Sequence, residues 1–139
     1  MPRLALLFSV QYLNFTYQRT VDIAEEVHIL GNPRYTIVAE DMQKIPEDER
    51  DKVIGFEIMA MDYLAGDIAP CYKYYTLQTT WAITTPQILT EFMSYVETQE
   101  PLWVLTATEQ TETELDNILD EKYELQFSNP YVCFYRLAE

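Results

Sequence analysis

Thr85-Pro-Gln-Ile-Leu-Thr-Glu-Phe-Met-Ser-Tyr-Val96, followed after Pro101 by Leu102-Trp-Val-Leu-Thr-Ala107, decides the fold class. Ile88, Leu89, Phe92, Met93 and Val96 recur on one side of a 3.6-residue period, so the first segment is an amphipathic helix, opened by Thr85-Pro86. That stripe is core material rather than a cofactor box. The second segment reads as a short buried strand. Upstream, Val53-Ile-Gly-Phe-Glu-Ile58 has the same character, β-branched and bounded by charge on its N-terminal side. A strand, a helix and another strand in succession imply a parallel pair joined by a right-handed crossover.

The flanking segments extend this unit. Thr111-Glu-Thr-Glu114 has capping-box spacing, and Leu115, Ile118 and Leu119 give the helix after it an apolar face. Tyr123-Glu-Leu-Gln-Phe127 and Tyr131-Val-Cys-Phe-Tyr135 enclose Ser128-Asn129-Pro130 and read as a closing hairpin. Before the first strand, residues 20–30 read as a short helix stopped by Gly31. Asn32 and Pro33 supply the N-cap and first residue of a second helix reaching about Lys44. Pro46 ends that helix, and residues 46–52 read as a charged, solvated loop. Residues 59–65 form a helical turn closed by Gly66. The expectation is a single small layered α/β domain over residues 16–139. Its mixed sheet has about four strands, a parallel core pair and a C-terminal antiparallel hairpin, with helices on its flanks.

Residues 1–15 form a hydrophobic lead-in, strongest over residues 4–15. With Gln11 and Asn14 inside it, the segment falls short of the roughly 20 apolar residues a bilayer span needs. It also lacks a small-residue cleavage site, so a signal peptide fits poorly. Two readings stand: a buried first element, or the end of a transmembrane helix that begins outside this chain. Asn14-Phe15-Thr16 is a glycosylation acceptor only in a secretory setting.

Composition bounds the partners. The chain has 139 residues, 48% hydrophobic, 14% aromatic and 23% charged, which suits one globular domain. Its 23 acids against 9 bases give a formal charge of -14. Nucleic acid and anionic membrane surfaces call for clustered Lys and Arg, so both are disfavoured. A basic protein partner fits the charge, although solubility explains it as well. Cys71 and Cys133 are the only cysteines, and a disulfide and two free thiols stand equally open.

Familiar chemistry is scarce. His28 is the single histidine, so multi-histidine metal sites are excluded and a nucleophile triad has one candidate base, placed in an apolar helix. The three glycines, Gly31, Gly55 and Gly66, are scattered, which leaves no phosphate-cradling loop. Glu25/Glu26 and Glu40/Asp41 are adjacent on helices and read as solvent-facing charge. No catalytic residue, metal or cofactor is assigned.

One stretch escapes these explanations. Asp67-Ile-Ala-Pro-Cys-Tyr-Lys-Tyr-Tyr-Thr-Leu-Gln-Thr-Thr-Trp81 follows neither helical nor strand periodicity. It gathers three tyrosines, a tryptophan and one lysine. Rings with polar tips serve cores and recognition surfaces alike, so it is either a wide connection closing the core or a surface that meets a sugar, a lipid headgroup or a partner.

This stretch, with Ile45-Pro-Glu-Asp-Glu-Arg-Asp-Lys-Val-Ile-Gly-Phe56 before it, resembles the C-terminal soluble domain of polytopic bacterial glycosyltransferases related to the dolichyl-phosphate-mannose protein mannosyltransferases. Pro70-Cys-Tyr-Lys-Tyr74 is the most specific part of the likeness, which covers about residues 45–137 and includes Glu100-Pro-Leu-Trp-Val-Leu105, Lys122-Tyr-Glu-Leu125 and Tyr131-Val-Cys-Phe-Tyr-Arg-Leu137. The resemblance implies a non-catalytic, membrane-associated domain on the extracytoplasmic side, because the family's catalytic acid lies in a loop between membrane helices that has no counterpart here. The implied partner is the enzyme's membrane domain, a glycan or a lipid-linked sugar. Residues 4–15 would then be the remnant of the last span.

Under that hypothesis Tyr72, Lys73, Tyr74, Tyr75 and Trp81 are the contact residues: rings stack on sugars and the lysine pairs with phosphate. The alternative is a free-standing cytoplasmic acidic protein of inhibitor or immunity type that binds a basic partner. A small soluble enzyme is the third reading, and it has the least in its favour.

Overall fold

The computed structural model describes residues 32–139. The chain divides into two compact units, Met1–Thr36 and Ile37–Glu139. Of the first, only residues 32–36 are described, so the hydrophobic lead-in, the helix expected over 20–30, Gly31 and His28 lie outside the described residues.

Helix α1 is Pro33–Met42. Asn32 Oδ1 accepts the Arg34 N–H at 3.1 Å, the cap expected of an Asn-Pro start. A 3-10 helix, Glu47–Lys52, then leads into β1, Val53–Phe56. There follow α2 (Ala60–Gly66), α3 (Gln78–Ala82) and α4 (Gln87–Gln99). The remaining elements are β2 (Trp103–Ala107), α5 (Thr113–Lys122), β3 (Tyr123–Ser128) and β4 (Val132–Leu137). The sheet order is β1-β2-β4-β3, with β1 and β2 parallel and the other neighbours antiparallel. This is the mixed four-stranded α/β architecture expected, with the C-terminal hairpin attached to β2 through its second strand.

Side-chain alternation divides the core into two faces. Val53, Trp103, Leu105, Val132 and Phe134 point to one side, where Val38 and Met42 of α1 and Tyr63 of α2 cover them. Ile54, Phe56 and Val104 point to the other, under Phe92, Met93 and Val96 of α4 and Leu115, Ile118 and Leu119 of α5. Both faces of the central pair are therefore buried, which is why β1 and β2 read as continuous apolar runs.

Three local expectations need correction. The Thr111–Glu114 capping box does not form: α5 begins at Thr113, and Gln110 Oε1 accepts the Glu112 N–H at 2.7 Å instead. Asp41 is not solvent-facing. It is buried, paired with Lys44 at 2.6 Å, and accepts the Asn129 side-chain amide at 2.6 Å, which ties the hairpin turn to α1. The charged 46–52 segment is not merely a solvated loop, because Glu49 turns inward. Its Oε2 accepts the Trp103 indole N–H at 2.6 Å and its Oε1 the Arg136 guanidinium at 3.1 Å. Those bonds, Arg136 first and Trp103 second, hold the Glu49 carboxyl below the usual carboxylate range.

Candidate functional site

The aromatic stretch crosses the sheet's edge. Ile68 is buried with the α1–α2 face, whereas Cys71 and Tyr72 pack against the α4–α5 face. In passing between them the chain runs alongside β1, the first strand of the sheet, and Cys71 N–H donates to Val53 C=O at 2.8 Å.

Gln78 completes the edge. Its side chain is fully buried; Nε2 donates to Gly55 C=O at 2.6 Å and Oε1 accepts the Glu57 N–H at 2.8 Å. An adjoining strand would satisfy that same carbonyl and amide, so one side-chain amide substitutes for a neighbour and leaves β1 no open ladder there. The second Nε2 proton goes to Tyr74 C=O at 2.8 Å, which fixes the aromatic run to the strand. Glu57 reciprocates: its Oε1 accepts the Thr79 N–H at 2.6 Å in the first turn of α3. Glu57 and Leu77 both take left-handed backbone, with φ of 57° and 49°. Each such residue costs on the order of 1 kcal/mol, and the surrounding bonds hold them there.

Tyr63 is the other anchor. Its hydroxyl donates to Tyr75 C=O at 3.1 Å, and the two rings meet edge to face at 5.9 Å. Burial pushes the Tyr63 phenol well above its ordinary value, so it stays a donor at any physiological pH. Gly55 is what allows this approach, because a Cβ there would lie 2.0 Å from the Tyr63 oxygen. Thr76 Oγ1 adds a bond to Ile58 C=O at 2.8 Å.

On this frame the five residues singled out from the sequence separate into three settings. Tyr72 is half-buried, stacked on Tyr95 at 4.3 Å and edge-on to Phe92 at 6.0 Å. Tyr74 is half-buried and meets Tyr72 edge-on at 5.7 Å. Lys73 is exposed but committed: its ammonium lies 2.9 Å from Glu91 and 4.5 Å from the centre of the Tyr74 ring. Glu91 first, then Tyr74, hold that ammonium above the ordinary lysine value. Tyr75 and Trp81 are the two rings that face outward, Trp81 with 58% of its surface exposed.

Trp81 does not stand alone. Leu77 and Ile83, on either side of it in sequence, are exposed as well. A hollow of about 270 Å³ is lined by Lys73, Tyr74, Tyr75, Thr76, Trp81 and Ile88. It falls below the range of drug-sized pockets, about 300–1,000 Å³. A larger hollow of about 640 Å³ opens on the far side of Tyr75, walled by Tyr63, Leu64 and Pro70.

Sequence reasoning missed Glu57 and Gln78, the two residues that position this surface. Nothing in their spacing signals it, because they meet only where the connection rounds the strand.

Other chemistry is limited among the described residues. No grouping of three His, Cys, Asp or Glu could hold a metal ion, and no buried side-chain nitrogen or oxygen lacks a partner. Cys71 and Cys133 are both free thiols; burial raises Cys71, whose sulfur lies 3.9 Å from the Tyr95 hydroxyl. No described helix is long and apolar enough to cross a membrane. Comparison of the chain with family models, with curated proteins and with solved structures found no match.

Proposed function

We propose that this chain is a non-catalytic recognition domain, that it works beside a membrane-embedded sugar transferase using a polyprenyl-phosphate donor, and that it meets sugar through Trp81 and Tyr75. The observation that carries the reading is a large indole held outward by a hydrogen-bonded framework. Gln78, Glu57 and Tyr63 fix the backbone on which Trp81 and Tyr75 sit, and 58% of Trp81 still remains exposed. Structural need does not explain such exposure, whereas stacking on a sugar face does. The resemblance of residues 45–137 to the soluble domain of such enzymes points the same way. The extracytoplasmic, membrane-associated location belongs to this proposal.

The test is sugar transfer from a polyprenyl-phosphate donor by membranes from cells making either the wild-type chain or Trp81→Ala. Loss of about tenfold in transfer, with unchanged circular dichroism and melting of the purified variant, is the expected result; a tenfold loss corresponds to about 1.4 kcal/mol, within the range for one stacked ring. Full transfer by a folded Trp81→Ala protein would overturn the proposal.

A further inference from the structure

Resting on that reading of the Trp81 hollow as a sugar site, we infer that the hollow takes the neutral part of a glycan and discriminates against a sugar phosphate. The sequence alone suggests the opposite, since a lysine among tyrosines looks like a phosphate ligand. Its surroundings decide otherwise. Among the described residues Lys73 is the only charged side chain lining the hollow, and its ammonium already has a carboxylate 2.9 Å away in Glu91. The pair bears no net charge. The Tyr74 ring, its centre 4.5 Å from the ammonium, also offers the cation its electron-rich face.

A phosphate entering here would have to compete with Glu91 for the ammonium and approach a chain with a formal charge of -14. At low ionic strength both effects oppose it. A neutral ring meets no such opposition: it offers C–H faces to Trp81 and Tyr75 and hydroxyls to the polar margin. Glu91 is thus assigned a specificity role. It keeps the Lys73 ammonium from recruiting anions. On this inference the domain contacts the acceptor glycan, or the sugar of the donor, but not the donor's phosphate.

The experiment uses Trp fluorescence, because Trp81 is exposed while Trp103 is buried with its indole N–H bonded to Glu49. The probes are methyl α-D-mannopyranoside and methyl α-D-glucopyranoside against the matching sugar 1-phosphates, titrated at low and at physiological ionic strength. The Trp81→Phe variant identifies which signal belongs to Trp81. The neutral glycosides should bind with little salt dependence, and the 1-phosphates about threefold or more weakly at low salt, the gap narrowing as screening increases. In Glu91→Gln the freed lysine should strengthen 1-phosphate binding by about two- to fivefold, the scale of an exposed ion pair, with neutral glycosides unchanged. Glu91 is exposed, so this variant does not put folding at risk.

If the wild-type chain binds the 1-phosphates as tightly as the neutral glycosides, or if Glu91→Gln gains nothing, the inference fails while the sugar-site reading stands. If folded wild-type protein binds neither probe, the sugar-site reading itself fails and takes the inference with it.

Discussion

The two ends of β1 are held by unlike chemistry. At its entry, an acid from the 3-10 helix joins the indole of β2 and the guanidinium of β4. At its exit, the uncharged Gln78 amide is bonded to three backbone groups. The entry cluster depends on ionisation and is made between side chains. The exit lattice is centred on an amide that does not ionise, with the Glu57 carboxylate bonded to Thr79 N–H beside it, and it dictates the path of the main chain. The aromatic surface is attached to the second. The part of its geometry that rests on Gln78 should therefore be indifferent to pH, while the sheet behind it is not.

Gln78→Leu is the strongest way to break this contrast. The substitution keeps the volume but strands the Gly55 and Tyr74 carbonyls and the Glu57 amide in a buried setting. Each orphaned group costs about 1–3 kcal/mol, although water admitted at the edge will relieve some of it, so a net loss of about 4 kcal/mol is expected by chemical denaturation. An exposed β1 ladder should also make the variant associate, measured by light scattering. A loss under about 1 kcal/mol would mean that the connection holds itself in place without Gln78.

Gly55→Ala attacks the same end sterically. The new methyl would lie 2.0 Å from the Tyr63 oxygen and 2.7 Å from Ile58 Cγ1, in a fully packed region. Overpacking of this kind costs about 1–3 kcal/mol, and the upper part of that range applies because Tyr63 is also bonded to Tyr75. Paired with Tyr63→Phe, which removes the encroaching oxygen, the cost should fall. An unchanged cost in the double variant would show that Ile58, not Tyr63, sets the limit.

The contrast also explains what could be read from the sequence. The helix carrying Phe92, Met93 and Val96, the parallel pair and the closing hairpin all announce themselves, because periodicity and β-branching are local properties. Asn32 as a cap was equally visible, since its partner lies two residues away. The polar anchors were not. Glu49 and Trp103 are far apart in the chain, as are Glu57 and Gln78, and no spacing rule pairs a glutamine with a strand edge. The capping box is absent because the helix starts later than the motif implies, at Thr113 with Glu112 in the cap position. For the candidate site, the stretch was legible as unusual, but its division into inward Tyr72 and outward Trp81 depends on the turn around β1. The pairing of Lys73 depends in turn on Glu91, thirteen residues beyond Gln78 on a different helix.

At the entry end, Glu49→Gln should cost about 1.5 kcal/mol at neutral pH, the scale of a hydrogen bond to an ionised group. Because the folded state lowers this carboxyl, its contribution is fully present above the ordinary carboxyl range and is lost as pH falls through the lowered folded value. Unfolding measured from neutral to acid pH should therefore show the wild type and Glu49→Gln converging below the ordinary carboxyl range. Parallel curves would mean that Arg136 and Trp103 gain nothing from the ionised form.

The smallest expected effect is the most discriminating. Trp81→Ala removes the largest exposed ring of the surface, yet it should change stability by no more than about 0.5 kcal/mol, the usual scale for a surface substitution. The backbone beneath it is fixed by Glu57 and Gln78, neither of which needs the indole. Leu77 and Ile83 remain exposed on either side and gain no partner from its removal. Stability and sugar response should then separate completely: Gln78→Leu would lose both, and Trp81→Ala only the second. A loss of more than about 1.5 kcal/mol in Trp81→Ala would place the ring among the core residues. Its exposure would then be a by-product of packing, and the stretch would be a wide connection that closes one end of the sheet.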